Sequence, residues 1–165
     1  MIKTVEFKSQ RYPAFQTLGN AAQFAIPFAK HVCHGDGFDV GCNREEWAFP
    51  GSIPVDPELG DGYDAMNLPE TPINPDYIFS SHCLEHVEDW YKVLEYWVDR
   101  LSFTGTLFLY LPDYSQVYWR PWNNRKHKHC FTPFMIRDAF EALQLQNIFV
   151  SDIDLNNSFM AMGTK

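Results

Sequence analysis

None of the four cysteines, Cys33, Cys42, Cys83 and Cys130, stands in a CxxC pair, so the usual paired-thiol signature of a disulfide or metal framework is missing. Long hydrophobic runs are missing too. The apolar stretch from Ala21 to Ala29 is far too short to span a bilayer, and Pro27 interrupts it. No apolar core of a leader follows the charged start MIKTVEFKSQRYP. A cytoplasmic protein with reduced thiols and no membrane association is therefore expected. Basic residues are in deficit. Thirteen Lys and Arg face twenty-one Asp and Glu, a formal net charge of −8. An acidic surface repels phosphate backbones, so nucleic acid is not an expected partner. The one basic cluster is Arg120, Arg125, Lys126, His127, Lys128 and His129. Repeats, low-complexity tracts and long linkers are also lacking, which predicts one domain over residues 1–165.

What is present is a globular composition, 45% hydrophobic, with strands and helices in alternation. Phe15 to Val32 reads as a helix, within a variable helical segment over 1–36. The core over 37–165 opens with a short strand, Phe38 to Gly41. A second strand, Ser52 to Val55, ends at Asp56. Arg44 to Phe49 has room for only a turn or two of helix. Tyr77 to Ser80 and Thr106 to Leu111 are apolar runs of the kind buried on both faces of a sheet. Between them Val87 to Leu101 carries apolar residues at helical spacing. Thr132 and Pro133 suit the cap and first position of a helix running to about Leu143. Asn147 to Asp152 and Phe159 to Thr164 read as two strands joined by a short polar turn, hence antiparallel to each other.

Three segments at matching places in this pattern carry a resemblance. They are Phe38-Asp39-Val40-Gly41-Cys42-Asn43, Ile53-Pro54-Val55-Asp56-Pro57-Glu58, and the strand-loop-helix-turn-strand unit from Asp76 to Pro112 with Ser81-His82-Cys83-Leu84-Glu85-His86 inside it. Together they resemble the class I S-adenosylmethionine (SAM) dependent methyltransferases, in particular the type 11 branch. The resemblance implies a single Rossmann-like α/β domain. Its central sheet would be mostly parallel, with helices on both faces and an antiparallel last strand. It also implies SAM as cofactor and a small-molecule acceptor.

In that family an acidic residue and alternating glycines follow the first strand. Here Asp39 and Gly41 match, with Cys42 and Asn43 completing the loop, and Asn43 and Glu45 stand where later glycines are expected. Asn tolerates a left-handed backbone and can hold the turn. Glu45 and Glu46 would repel a pyrophosphate but not a sulfonium, so the loop suits SAM better than a dinucleotide. Asp56, followed by Pro57, is placed to take the ribose hydroxyls; otherwise it is a solvated turn acid. Asp64, Ala65 and Met66 match the family's adenine-reading segment, the plain alternative being an ordinary loop. Ser81 and His82 would face the methionine half of SAM.

The stretch after Pro112 mixes Asp113 with Tyr114, Tyr118, Trp119 and Trp122, and is followed by His127 and His129. His127, His129 and Asp113 are the candidate proton acceptors for methyl transfer. Alternatively the aromatics cover core, and the histidines belong to a basic surface turn. His82-Cys83-Leu84-Glu85-His86 also spells H-x-x-E-H, a zinc-protease pattern. Its position at a strand-to-helix junction speaks against that reading, and no metal is assigned. Two further functions stay open: a SAM-binding protein without catalysis, suggested by the missing glycines, and a zinc hydrolase built on His82, Glu85 and His86. A second copy of the chain is a candidate partner to complete the pocket.

Overall fold

The computed structural model describes residues 3–14 and 19–165. Eight strands and three α-helices follow in chain order: β1 (Thr4–Phe7), β2 (Gln10–Pro13), α1 (Ala22–Ala29), β3 (Gly37–Val40), β4 (Ile53–Val55), β5 (Tyr77–Ser81), α2 (Trp90–Arg100), β6 (Thr106–Pro112), α3 (Pro133–Ala142), β7 (Gln146–Val150) and β8 (Ser158–Thr164). Six of the strands form one sheet in the order β4-β3-β5-β6-β8-β7. Strands β4, β3, β5 and β6 run parallel, and β8 enters antiparallel between β6 and β7.

Every residue of β5 and β6 is buried, which explains why both read as apolar runs and not as alternating ones. Successive side chains still go to opposite faces. Ile78, Leu107 and Leu109 meet Val93, Leu94 and Trp97 of α2 and Ile136, Ala139 and Phe140 of α3 in one core. Tyr77, Phe79, Phe108 and Tyr110 meet Ala22, Ala25 and Ala29 of α1 in the other. Helices thus cover both faces, as expected.

Two expectations are corrected. The N-terminal segment is not helical throughout. Residues Thr4–Phe7 and Gln10–Pro13 form an antiparallel hairpin turned by Lys8 and Ser9, both at positive φ. The helix expected from Phe15 begins at Ala22, and residues 15–18 of that expectation lie outside the described ones. Distant contacts hold the hairpin. Phe7 packs edge-on against Tyr118 at 5.0 Å, and Lys8 Nζ donates to Asn123 Oδ1 at 2.7 Å. The helix expected from Val87 starts at Trp90, because the chain before it is drawn into a tight 3-10 turn, Leu84–His86. The amides of Lys128 and His129 both donate to the Glu85 carbonyl, which fixes that turn against the 126–129 segment.

Candidate functional site

The chain leaves β3 toward β4 on one side and returns to β5 on the other. The sheet therefore switches direction between β3 and β5, and a crevice opens beyond their carboxyl ends. A cavity of about 680 Å³ lies there. Its walls come from the loop after β3, the turn after β4 with the 64–66 turn beyond it, the loop after β5, and the 119–127 segment.

Gly41 follows β3 with φ 88°, and a Cβ there would overlap the Cβ and Sγ of Cys83. Only glycine satisfies both demands. Asn43 takes φ 62°, so the left-handed turn expected of it is present. The helix that could have followed is a single 3-10 turn, Glu45–Trp47, whose two acids are exposed. After β4, Asp56 caps the Pro57–Leu59 turn by accepting the Glu58 amide at 2.9 Å through Oδ1. Its Oδ2 accepts the Asn43 amide at 2.7 Å. Each oxygen keeps a second lone pair for a ligand. Asp64 accepts the Met66 amide at 2.7 Å, and Trp97 Nε1 donates to the Ala65 carbonyl at 2.8 Å. The 64–66 turn is thereby tied to α2.

After β5, His82 sits at φ 50°, an uncommon conformation for a residue with a side chain. Its amide donates to the Tyr110 carbonyl at 2.8 Å, and its Nε2 pairs with Ser158 Oγ at 3.0 Å. Burial, then the neighbouring His127 and His86, lowers the His82 pKa to about 3. His127 is lowered to about 3 for the same first reason, with His86 adding to it. Both rings are neutral at physiological pH. Burial raises the Glu85 carboxyl to about 8.

The cavity wall includes Gly41, Asn43, Asp56, Pro57, Asp64, Ala65, Met66, Ser81, His82 and His127, all singled out from the sequence. Four other candidates lie off it. Asp39 is 1% exposed and spends Oδ2 on the Phe49 amide at 2.7 Å, and burial raises its pKa to about 7. Cys42 is buried beside it, its thiol pushed up to about 12 by desolvation. Asp113 accepts the Ser115 amide at 2.8 Å and caps the turn after β6. His129 donates from Nε2 to the Glu88 carbonyl at 2.9 Å. The sequence reading missed Glu85, His86 and Lys126 as cavity residues, apart from the H-x-x-E-H pattern. That pattern placed His82 and His86 on one α-helix face, whereas His82 lies in the loop and His86 in the 3-10 turn.

The wall suits a polar, cationic ligand. Asp56, Glu58 and Asp64 outnumber Lys126. Ser81 Oγ is buried on the wall without a hydrogen-bond partner in the protein. Among the described residues, no helix is long and apolar enough to cross a membrane.

Residues 19–150 match the model of a family described as a methyltransferase domain. Among solved structures, the chain is similar to a SAM-dependent methyltransferase from Thermotoga maritima, titled a possible histamine N-methyltransferase. Identity is 16%, coverage 92% of each chain, and the TM-score 0.72. A SAM-dependent methyltransferase from Archaeoglobus fulgidus matches at 17% identity over 91% of this chain and 94% of that one, with a TM-score of 0.64. The N-methyltransferase NodS from Bradyrhizobium japonicum, solved with S-adenosylhomocysteine, matches at 12% identity over 92% and 88%, with a TM-score of 0.63. No curated protein matches the chain.

Proposed function

The chain belongs to the methyltransferase domain family, and from that premise we propose that it transfers a methyl group from SAM to a small-molecule acceptor held in the same cavity. The observation that carries this reading is the position of the cavity, at the switch between β3 and β5, with Asp56 on its wall. SAM, when bound, supplies an electrophilic methyl on a sulfonium.

The chain's own residues divide the remaining work. Asp56 accepts the ribose hydroxyls in a bidentate contact, its carboxylate pre-aimed by the Asn43 and Glu58 amides. The 64–66 turn packs on the adenine, and Ser81 donates its unused hydroxyl to the amino-acid end. Gly41 and Asn43 let the main chain pass close. On the acceptor side, the His127 ring stacks on Trp119 at 5.0 Å and 11°, which fixes its plane. A neutral imidazole accepts a hydrogen bond from an acceptor hydroxyl or amine and orients it for in-line attack. With a pKa of about 3 His127 is a weak base, so positioning is its larger contribution.

Titration calorimetry with SAM and S-adenosylhomocysteine tests the reading. Micromolar binding of either supports it, and no heat together with no thermal stabilisation at millimolar ligand overturns it. A SAM-binding protein without catalysis is the second reading. The observation in its favour is the loop after β3, which keeps one glycine and only three residues of helix. Release of S-adenosylhomocysteine in the presence of acceptor separates the two.

A further inference from the structure

We propose that Glu85, His86 and His127 bind one divalent transition-metal ion with zinc-like ligand preferences, on the cavity wall and with His82 beside it. One donor atom from each of the three lies within 4.8 Å of the others. The site stands on this geometry and does not depend on the methyl-transfer reading; with an ion bound, the single lone pair of the His127 ring goes to the metal and no longer accepts from an acceptor hydroxyl or amine.

The Glu85 carboxyl is the central observation. Its side chain is completely buried, and neither oxygen has a hydrogen-bond partner on any other residue. Buried carboxylates are expected to be paired, hydrogen-bonded or on a metal. Two imidazoles lie close by. His82 Nδ1 is 3.7 Å and His86 Nε2 3.9 Å from Glu85 Oε1, both too long for hydrogen bonds. Donors on one tetrahedral zinc, each about 2.1 Å from the ion, lie about 3.4 Å apart. To meet that, the Glu85–His86 separation of 3.9 Å closes by about 0.5 Å, and the widest separation in the triad, within 4.8 Å, by up to about 1.4 Å.

A hydrogen bond that would orient a ligating His86 ring is already in place. His86 Nδ1 lies 2.8 Å from the Lys126 carbonyl oxygen, which can only accept, so Nδ1 carries the proton and Nε2 keeps its lone pair toward Glu85. An imidazole that ligates a metal almost always donates its other N–H in this way. His127 is held between Trp119 and the edge of the His86 ring, whose centroid is 4.6 Å away. The amides of Lys128 and His129 on the Glu85 carbonyl bring His127, distant in sequence, to the turn that carries the other two ligands.

Two imidazoles and one carboxylate suit zinc, iron(II) or manganese better than magnesium. Three protein ligands leave a position open to the cavity, where an acceptor oxygen or a water can bind. In the sequence the H-x-x-E-H pattern stands at a strand-to-helix junction and gives no metal site by itself; the fold brings His127 to Glu85 and His86.

The test uses the full chain, stripped with chelator and titrated with zinc chloride against a chromophoric competitor. One zinc per chain with micromolar or tighter affinity is expected. His86→Ala and His127→Ala should each weaken it at least ten-fold, and the surface variant His34→Ala should leave it unchanged. Circular dichroism establishes that each variant is folded. Cobalt(II) on the unmodified chain reads the ligands without substitution. A visible d–d band without a near-ultraviolet thiolate band is expected, and a thiolate band would assign the ion to Cys83 instead. Failure of the wild type to bind zinc stoichiometrically, or wild-type affinity in folded His86 and His127 variants, overturns the proposal. S-adenosylhomocysteine is titrated into the same samples, so loss of zinc binding with retained nucleoside binding removes the metal site alone.

Discussion

Asp56 Oδ2 accepts the backbone amide of Asn43 at 2.7 Å, joining the turn after β4 to the loop after β3 through one carboxylate. The residue read from the sequence as a ribose ligand is thus also the clasp of its own pocket. Asp56→Ala should weaken S-adenosylhomocysteine binding by roughly 1.5–3 kcal/mol, about 10- to 100-fold in Kd. Calorimetry measures this, with a thermal melt to separate lost binding from a loosened loop. Unchanged affinity in a folded variant removes Asp56 from the binding set.

Gly41→Ala should destabilise the fold by at least about 1–2 kcal/mol from the left-handed backbone alone. Overlap with Cys83 adds to that. Because the Cβ of Cys83 is part of the overlap, Cys83→Ala should give no rescue. Urea unfolding of the single and double variants checks it, and a rescued double variant would locate the strain in the thiol.

Burial raises Asp39 from 3.8 to about 7 in the folded chain. A raised folded-state pKa means stability that is complete below the unfolded value and lost as pH climbs through the folded one. Asp39→Asn keeps an acceptor for the Phe49 amide and removes the titration. Its stability should therefore gain on the wild type between pH 4 and pH 8, by up to roughly 4 kcal/mol. Denaturant unfolding across that range decides, and a pH-independent difference between the two proteins would refute a protonated Asp39.

His127 and His129, two residues apart, should behave differently. His127→Gln should lower turnover by about 10²-fold, with SAM affinity near wild type. His129→Gln removes the bond to the Glu88 carbonyl and should cost roughly 0.5–1.5 kcal/mol of stability, with a much smaller effect on turnover. Paired melts and steady-state kinetics compare them once an acceptor is found. Equal loss of turnover in both variants would mean that the His129 ring reaches the cavity.

The sheet was largely legible in the sequence. The buried runs Tyr77–Ser81 and Thr106–Pro112 can only be central strands, and Thr132-Pro133 marks the start of α3 through its cap. The N-terminal hairpin was not, because its contacts go to Tyr118 and Asn123, Lys8 and Asn123 being 115 residues apart in sequence. Local periodicity does not register such partners. In the site, strand-end positions such as Gly41, Asp56 and Ser81 followed from the topology. Glu85 did not. Its buried, unpartnered carboxyl is a property of the fold, produced where the 126–129 segment closes over a turn that reads locally as the start of a helix.

Part of that closure is made by main-chain groups, two amides from residues 128 and 129 on one carbonyl at residue 85, and these bonds do not involve the side chains at 85 and 127. Replacing the side chains at 85 and 127 therefore changes what the cavity can grip without removing a partner from these bonds. Such a frame separates the main-chain bonds that join the two segments from the side chains that face the cavity.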